Sequence, residues 1–157
     1  MKRLLVLFVF FSLFSINHSN AKGWLGIQFL PLNDATIKGF AGEGSLEKDS
    51  PKNLLVSGVI KNSPAHLANL LPGDIILEAD NKPTKEIKDL LDILDKFSTG
   101  ETINIKIFRK GTEKILKVKL GKKPIDTAFE FVDGSEKYIQ FSLGVFIDVK
   151  HFRFFEK

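Results

Sequence analysis

Residues 24–30, Trp24-Leu25-Gly26-Ile27-Gln28-Phe29-Leu30, restrict the fold more than any other stretch of the chain. They spell a short apolar strand entered through a glycine turn. Period-two alternation puts Leu25, Ile27 and Phe29 on one face, and Gly26 presents no Cβ to hold off a second backbone. An aliphatic, glycine, aliphatic turn leaves several amide N–H groups aimed at one point, which suits a carboxylate or phosphate oxygen. A glycine in a strand equally serves as a bulge or tight bend, so the order of elements downstream decides between the two.

That order is regular. A polar stretch, Pro31 to Asn53, carries Gly39, Gly42, Gly44 and Pro51 and reads as a long loop with a short helix around Ala35 to Phe40. Leu54 to Ile60 is a β-branched strand. Ser63 and Pro64 read as N-cap and first position of a helix over Ala65 to Leu70, ended by Pro72 and Gly73. Asp74 to Ala79 resumes as a strand, and Asp80 to Pro83 turns the chain, with Asn81 suited to a left-handed conformation. The longest helix is expected from Lys85 to Phe97, capped by Thr84 and stopped by Gly100. Its apolar residues fall into two adjoining stripes: Ile87, Leu91 and Leu94 on one, Leu90, Ile93 and Phe97 on the other. One stripe suits a core and the other a groove. Ile103 to Phe108 and Ile115 to Leu120 alternate as a hairpin turning at Gly111, with lysines on the solvated face.

Three motifs in this order resemble the PDZ family, in the circularly permuted form of bacterial envelope proteins. Gly23-Trp24-Leu25-Gly26-Ile27 resembles its carboxylate-binding loop. Asn62-Ser63-Pro64-Ala65 with Leu71-Pro72-Gly73-Asp74-Ile75-Ile76 resembles its "GSPA…L-x-PGD-x-I" run, and Ala79 to Pro83 its "NGKP" turn. The similarity spans residues 22–121, within a domain expected over 22–123, and is to the PDZ modules of high-temperature-requirement envelope serine proteases. Asn62 replaces a frequent glycine, and Asp80-Asn81 replace asparagine and glycine, which touches turn geometry and not the site. With two dozen residues before the motif, no trypsin-like domain is expected ahead of it. The resemblance implies an α+β fold: a partly open antiparallel β-barrel or sandwich with two helices, followed here by a β-rich extension.

It also implies a function: capture of a C-terminal or extended peptide by β-augmentation. The carboxylate would be bound at Trp24, Leu25, Gly26 and Ile27, by the amides around Leu25, Gly26 and Ile27. The added strand and its last side chain would lie along Gln28, Phe29 and Leu30 and against Ile87, Leu91 and Leu94, with Leu25 and Ile27 also lining the pocket. The expected partner is a C-terminal or unfolded segment of another envelope protein, with an aliphatic or aromatic last residue.

The address is read from the N-terminus. Lys2 and Arg3 precede a 13-residue apolar run, Leu4 to Ile16, and Ser19 to Ala21 supply small residues, so residues 1–21 read as a cleavable signal peptide. Such a run reaches about 20 Å, short of a bilayer core of about 30 Å, and no membrane span is expected after cleavage. A periplasmic or secreted protein follows. Cleavage would place Lys22 and a new ammonium beside the amide cluster, where they would speed capture of a carboxylate at low salt. The chain has no cysteine, hence no disulfide frame. Its formal charge of +4 falls to +2 without Lys2 and Arg3, and the lysines are interleaved with acids, which gives nucleic-acid binding no support.

Residues 124–157 lie beyond the resemblance and hold seven of the 15 phenylalanines, with strands expected over Phe129 to Val132 and Tyr138 to Val149 and a turn at Asp133-Gly134. This extension either completes the sheet, covers the groove or mediates self-association. No enzyme is expected. His18, His66 and His151 are scattered, Gly44-Ser45-Leu46 lacks the flanks of a nucleophile elbow, and no metal set or cofactor-binding loop is present. The alternative functions are an assembly adaptor of an envelope or secretion complex, or a non-catalytic regulator of a separately encoded protease.

Overall fold

A computed structural model of the chain describes residues 21–34, 36–37, 51–125 and 130–135. Six strands form one antiparallel sheet: β1 (Ile27–Pro31), β2 (Leu54–Val59), β3 (Ile75–Ala79), β4 (Lys82–Pro83), β5 (Thr102–Arg109) and β6 (Thr112–Lys119). Their order is β1-β2-β3-β5-β6, with the short β4 paired to β3. Two helices, α1 (Pro64–Leu67) and α2 (Ile87–Leu94), accompany the sheet. The sheet does not close, although Trp24, just before β1, exchanges two backbone hydrogen bonds of 2.9 and 3.0 Å with Gly121, just after β6.

Alternation sorts the side chains into two cores. Leu25, Leu54, Val56, Leu70, Ile76, Leu90, Ile93, Ile103, Ile105, Ile107 and Val118 form the larger, with Ile27, Phe29 and Leu94 packed against it. Leu32, Ile37, Leu55 and Ile75 form a smaller one on the other side, joined by Leu30. Leu25, Ile27 and Phe29 thus share a face, and Leu30 lies opposite.

Turns follow local chemistry. Asp80 and Asn81 both take positive φ (50° and 58°), the conformation of a two-residue hairpin that returns the chain as β4. Lys110 and Gly111 (48° and 74°) do the same between β5 and β6. The 71–74 turn is locked from within: Asp74 accepts from the Leu71 N–H (2.8 Å) and from Arg109 Nε and Nη2 (2.5 and 2.6 Å), and Arg109 also donates to the Asn69 carbonyl (2.8 Å). This contact holds the Arg109 guanidinium above its ordinary range.

Both helices are shorter than the sequence predicts. α1 ends at Leu67 because Asn69 adopts φ 61° and the Leu70 N–H folds back onto the Ala65 carbonyl at 2.9 Å. At the start of α2, Asp89 accepts the N–H groups of Lys85 and Glu86 (3.0 and 2.9 Å), and Glu86 is the N-cap. Thr84 is not the cap: it is buried, and its hydroxyl donates to the Ile76 carbonyl at 3.0 Å. A helical turn begins at Asp34, where the Ile37 N–H meets the Asn33 carbonyl at 2.9 Å. The remainder of the helix expected to Phe40, residues 1–20 and the strand expected over Tyr138 to Val149 lie outside the described residues.

Candidate functional site

The loop that opens β1 is built from three consecutive peptide units, each held from behind by a different element. The Trp24 carbonyl accepts from the Gly121 N–H (3.0 Å), the Leu25 carbonyl from Ala65 in α1 (2.9 Å), and the Gly26 carbonyl from Ile60 at the end of β2 (3.0 Å). In a trans peptide the carbonyl and the next residue's N–H point in opposite directions. No peptide bond is cis among the described residues. Pinning these three carbonyls therefore directs the N–H groups of Leu25, Gly26 and Ile27 to the opposite side of the loop. Neither Leu25 nor Gly26 N–H has a partner among the described residues.

Trp24, expected among the carboxylate-binding residues, adds no donor to the loop. Its N–H is engaged by the Gly121 carbonyl at 2.9 Å, and its contribution is the carbonyl that orients Leu25. The amides turned to the outer side of the loop are those of Leu25, Gly26 and Ile27.

Gly26 is required on two counts. Its φ is +79°, and a Cβ at this position would collide with the Cβ of buried Ser63. Ser63 is itself fixed, since its hydroxyl accepts the His66 N–H at 3.2 Å as the cap of α1.

Strand β1 continues the row of outward groups. Ile27 stands opposite Val59, whose own N–H and C=O turn away from β1 to meet Ser135 Oγ (3.3 Å) and the Val132 N–H (2.8 Å). Phe29 stands opposite Val56, which is likewise turned away, toward Asp74 O (2.8 Å) and Gly73 N (2.9 Å). Directly opposed residues in an antiparallel ladder share this sense, so Ile27 and Phe29 present N–H and C=O groups to the outer side of β1. A register shift between Gln28 and Phe29 keeps both in phase. In the sheet order β1 is an edge, and Pro31, which lacks an N–H, ends its row of donors.

Beside that edge lies α2. Leu90 and Ile93 are buried, whereas Ile87 and Leu91 are 40% and 48% exposed, so the helix divides into the two stripes its periodicity predicts. Leu94 is half-buried against the main core and Leu25, only 3% exposed, is part of it, so neither lines the cleft beside Ile87 and Leu91. A cleft of about 660 Å³ is lined by Pro31, Glu86, Ile87, Lys88, Leu91, Asp92 and Asp95. Lys22, expected to act as a free charge, has its ammonium 2.9 Å from Asp95, which offsets much of its field. Gln28 and Leu30 project away from this cleft, Leu30 into the smaller core, so they contribute backbone to the edge strand and no cleft surface.

The arrangement offers a carboxylate three convergent donors, an extended backbone a ladder, and an apolar side chain a cleft. Among the described residues, no group of His, Cys, Asp and Glu suits a metal ion, and no helix is long and apolar enough to cross a membrane.

Comparison with known proteins agrees with this architecture. Residues 23–120 match the family described as PDZ domain. A probable periplasmic serine endoprotease, DegP-like, of Pseudomonas fulva (strain 12-X) is 36% identical over 110 residues, covering 70% of this chain and 22% of that protein. Its counterpart in Hahella chejuensis is 32% identical over 105 residues, so the chain spans about a fifth of the length of these relatives. Among solved structures, the HtrA-type protease AlgW with decapeptide superposes with a TM-score of 0.59 at 25% identity, covering 66% of this chain and 30% of that one. The HtrA3 PDZ domain bound to the phage-derived ligand FGRWV shares the fold at a TM-score of 0.52 and 18% identity, covering 63% and 86%. With the loop, the edge strand and the helix in this order and the family matched from Gly23 to Leu120, the chain belongs to the PDZ domain family.

Proposed function

We propose that the protein is a non-catalytic peptide-binding module of the cell envelope, which captures the C-terminal or an extended segment of another polypeptide between β1 and α2. The observation that carries this reading is the outward direction of the Ile27 and Phe29 peptide groups, continuous with the pinned loop at Leu25 to Ile27. An added antiparallel strand would pair with both residues, its carboxylate at the loop and its alternate side chains over Ile87, Leu91 and Leu94. Hydrogen bonds to a charged group contribute about 1.5–3 kcal/mol each, so the loop fixes the register while the cleft selects the last side chain. The peptide-bearing structures of related PDZ proteins and the periplasmic description of its relatives support the binding mode and the compartment.

Amide hydrogen exchange tests the assignment. Addition of peptides with an apolar last residue is expected to slow exchange at Ile27 and Phe29, while Gln28, already facing β2, changes little. Protection at β6 in place of β1, or none at β1 with saturating peptide, refutes it.

A further inference from the structure

The described part of the C-terminal extension does not lie on β1. Glu130 to Ser135 sit along the opposite flank of β2. Phe131 bridges Ile60, the Lys61 N–H meets the Glu130 carbonyl at 2.6 Å, the Val132 N–H meets the Val59 carbonyl at 2.8 Å, and Ser135 Oγ accepts the Val59 N–H at 3.3 Å. Ser135 is fully buried, Val132 packs against the main core, and Lys61 Nζ pairs with Glu130 at 2.5 Å. These residues fill a flank that β3 leaves open. The β2–β3 register runs only over Leu54 and Leu55, and the last contact on that side is Val56 with Gly73 and Asp74.

The segment they hold, Val59 to Lys61, is the same one that holds the candidate carboxylate loop. Ile60 N–H pins the Gly26 carbonyl at 3.0 Å, and the peptide unit so fixed is the one that carries the Ile27 N–H. Gly26, with φ +79° and no side chain, has little else to set that plane. Residues 59–61 are thus gripped on one side by the extension while their other side aims a donor.

We infer that Glu130 to Ser135 form a positioning segment for the binding loop, so that Val132 and Ser135, outside the matched family region, act on carboxylate capture through Val59 and Ile60. This rests on the proposed reading of the loop as the carboxylate site. It predicts that loosening the extension weakens peptide capture, whereas a segment merely covering the groove would strengthen it when loosened.

The test uses the full chain and pentapeptide pools whose last residue is Val, Leu, Ile or Phe, each as free acid and as C-terminal amide. Wild type is expected to prefer the free acid. Val132→Pro removes the N–H given to Val59, and its free-acid preference is expected to fall about fivefold, the equivalent of one lost hydrogen bond. Ser135→Ala is expected to lower the preference about twofold and Ser135→Thr to restore it, with amide-peptide affinity unchanged throughout. Loss of stability alone would lower both affinities together and leave their ratio intact. If Val132→Pro does not fold, the Ala and Thr pair at 135 decides. An unchanged ratio in folded variants overturns the inference, as does tighter binding of both peptide forms. A wild type that does not distinguish acid from amide overturns the reading of the loop itself.

Discussion

Substituting Gly26 by alanine isolates the two reasons the loop needs glycine. At φ +79° an L-residue is expected to lose about 1–2 kcal/mol relative to glycine. The new Cβ also meets the Cβ of Ser63, a buried residue that cannot swing away because its hydroxyl caps α1 and its N–H donates to the Ile60 carbonyl at 3.2 Å. Overpacking of this kind adds about 1–3 kcal/mol, for a total of about 2–5 kcal/mol. The contributions separate in a double-mutant cycle by urea unfolding. Ser63→Gly removes the colliding atom at a cap position where glycine is tolerated within a few tenths of a kcal/mol. Gly26→Ala in that background should therefore retain the backbone part and a milder contact with Trp24 Cη2 at 3.0 Å, giving a coupling of about 1–3 kcal/mol. A coupling below about 0.5 kcal/mol, or a loss below about 1 kcal/mol for Gly26→Ala alone, would refute the close packing of this loop on α1. The same crowding makes larger residues at 26 unsuitable as probes of binding, since they would disturb the fold first.

Binding is better probed on α2. Leu91→Asp and Ile87→Asp alter side chains that are 48% and 40% exposed, so urea stability should move by less than about 1 kcal/mol while peptide affinity drops at least tenfold by titration. Leu90→Ala, on the buried stripe, should instead cost about 2–5 kcal/mol of stability. Arg109→Met strands the buried Asp74 carboxylate and should destabilise by about 3–5 kcal/mol at neutral pH by urea unfolding; a loss below about 1 kcal/mol would contradict it. Hydrogen bonds from Lys61 to Glu130 and from Lys106 to Glu113 and Glu78 hold both lysines above their ordinary 10.5. A folded value raised above the unfolded one gives stability that is present at neutral pH and lost as pH climbs through the folded value. Melting temperature should thus fall above about pH 10.5, less steeply in Lys61→Gln and Lys106→Gln.

Much of this arrangement was legible in the sequence because it rests on short-range rules. The strands followed from β-branched alternation, the Asp80-Asn81 and Lys110-Gly111 reversals from turn chemistry, and the two stripes of α2 from their spacing alone. What escaped were features set by partners that no local pattern announces. Thr84 looked like a cap until the Ile76 carbonyl took its hydroxyl, and α1 was overextended because nothing nearby announces that Leu70 returns to Ala65. The engagement of the Trp24 N–H has no local signature because its partner, Gly121, lies nearly a hundred residues away. The docking of Glu130 to Val132 on β2 was hidden for the same reason: strand alternation tells that a segment pairs, and not with which flank. Asn62 at φ 60° and Asn69 at 61° show a further limit, since left-handed asparagines are visible as candidates but only their surroundings select them.

The two rims of the sheet differ in character. On the β6 side, Lys114, Lys117 and Lys119 are all exposed, and lysine along a terminal strand discourages a newcomer from zipping on. The β1 side carries no such row of charges. On the proposed reading a guest strand would meet one open border and one guarded by lysines, so that a molecule so built would end a run of β-pairings instead of propagating it into fibres.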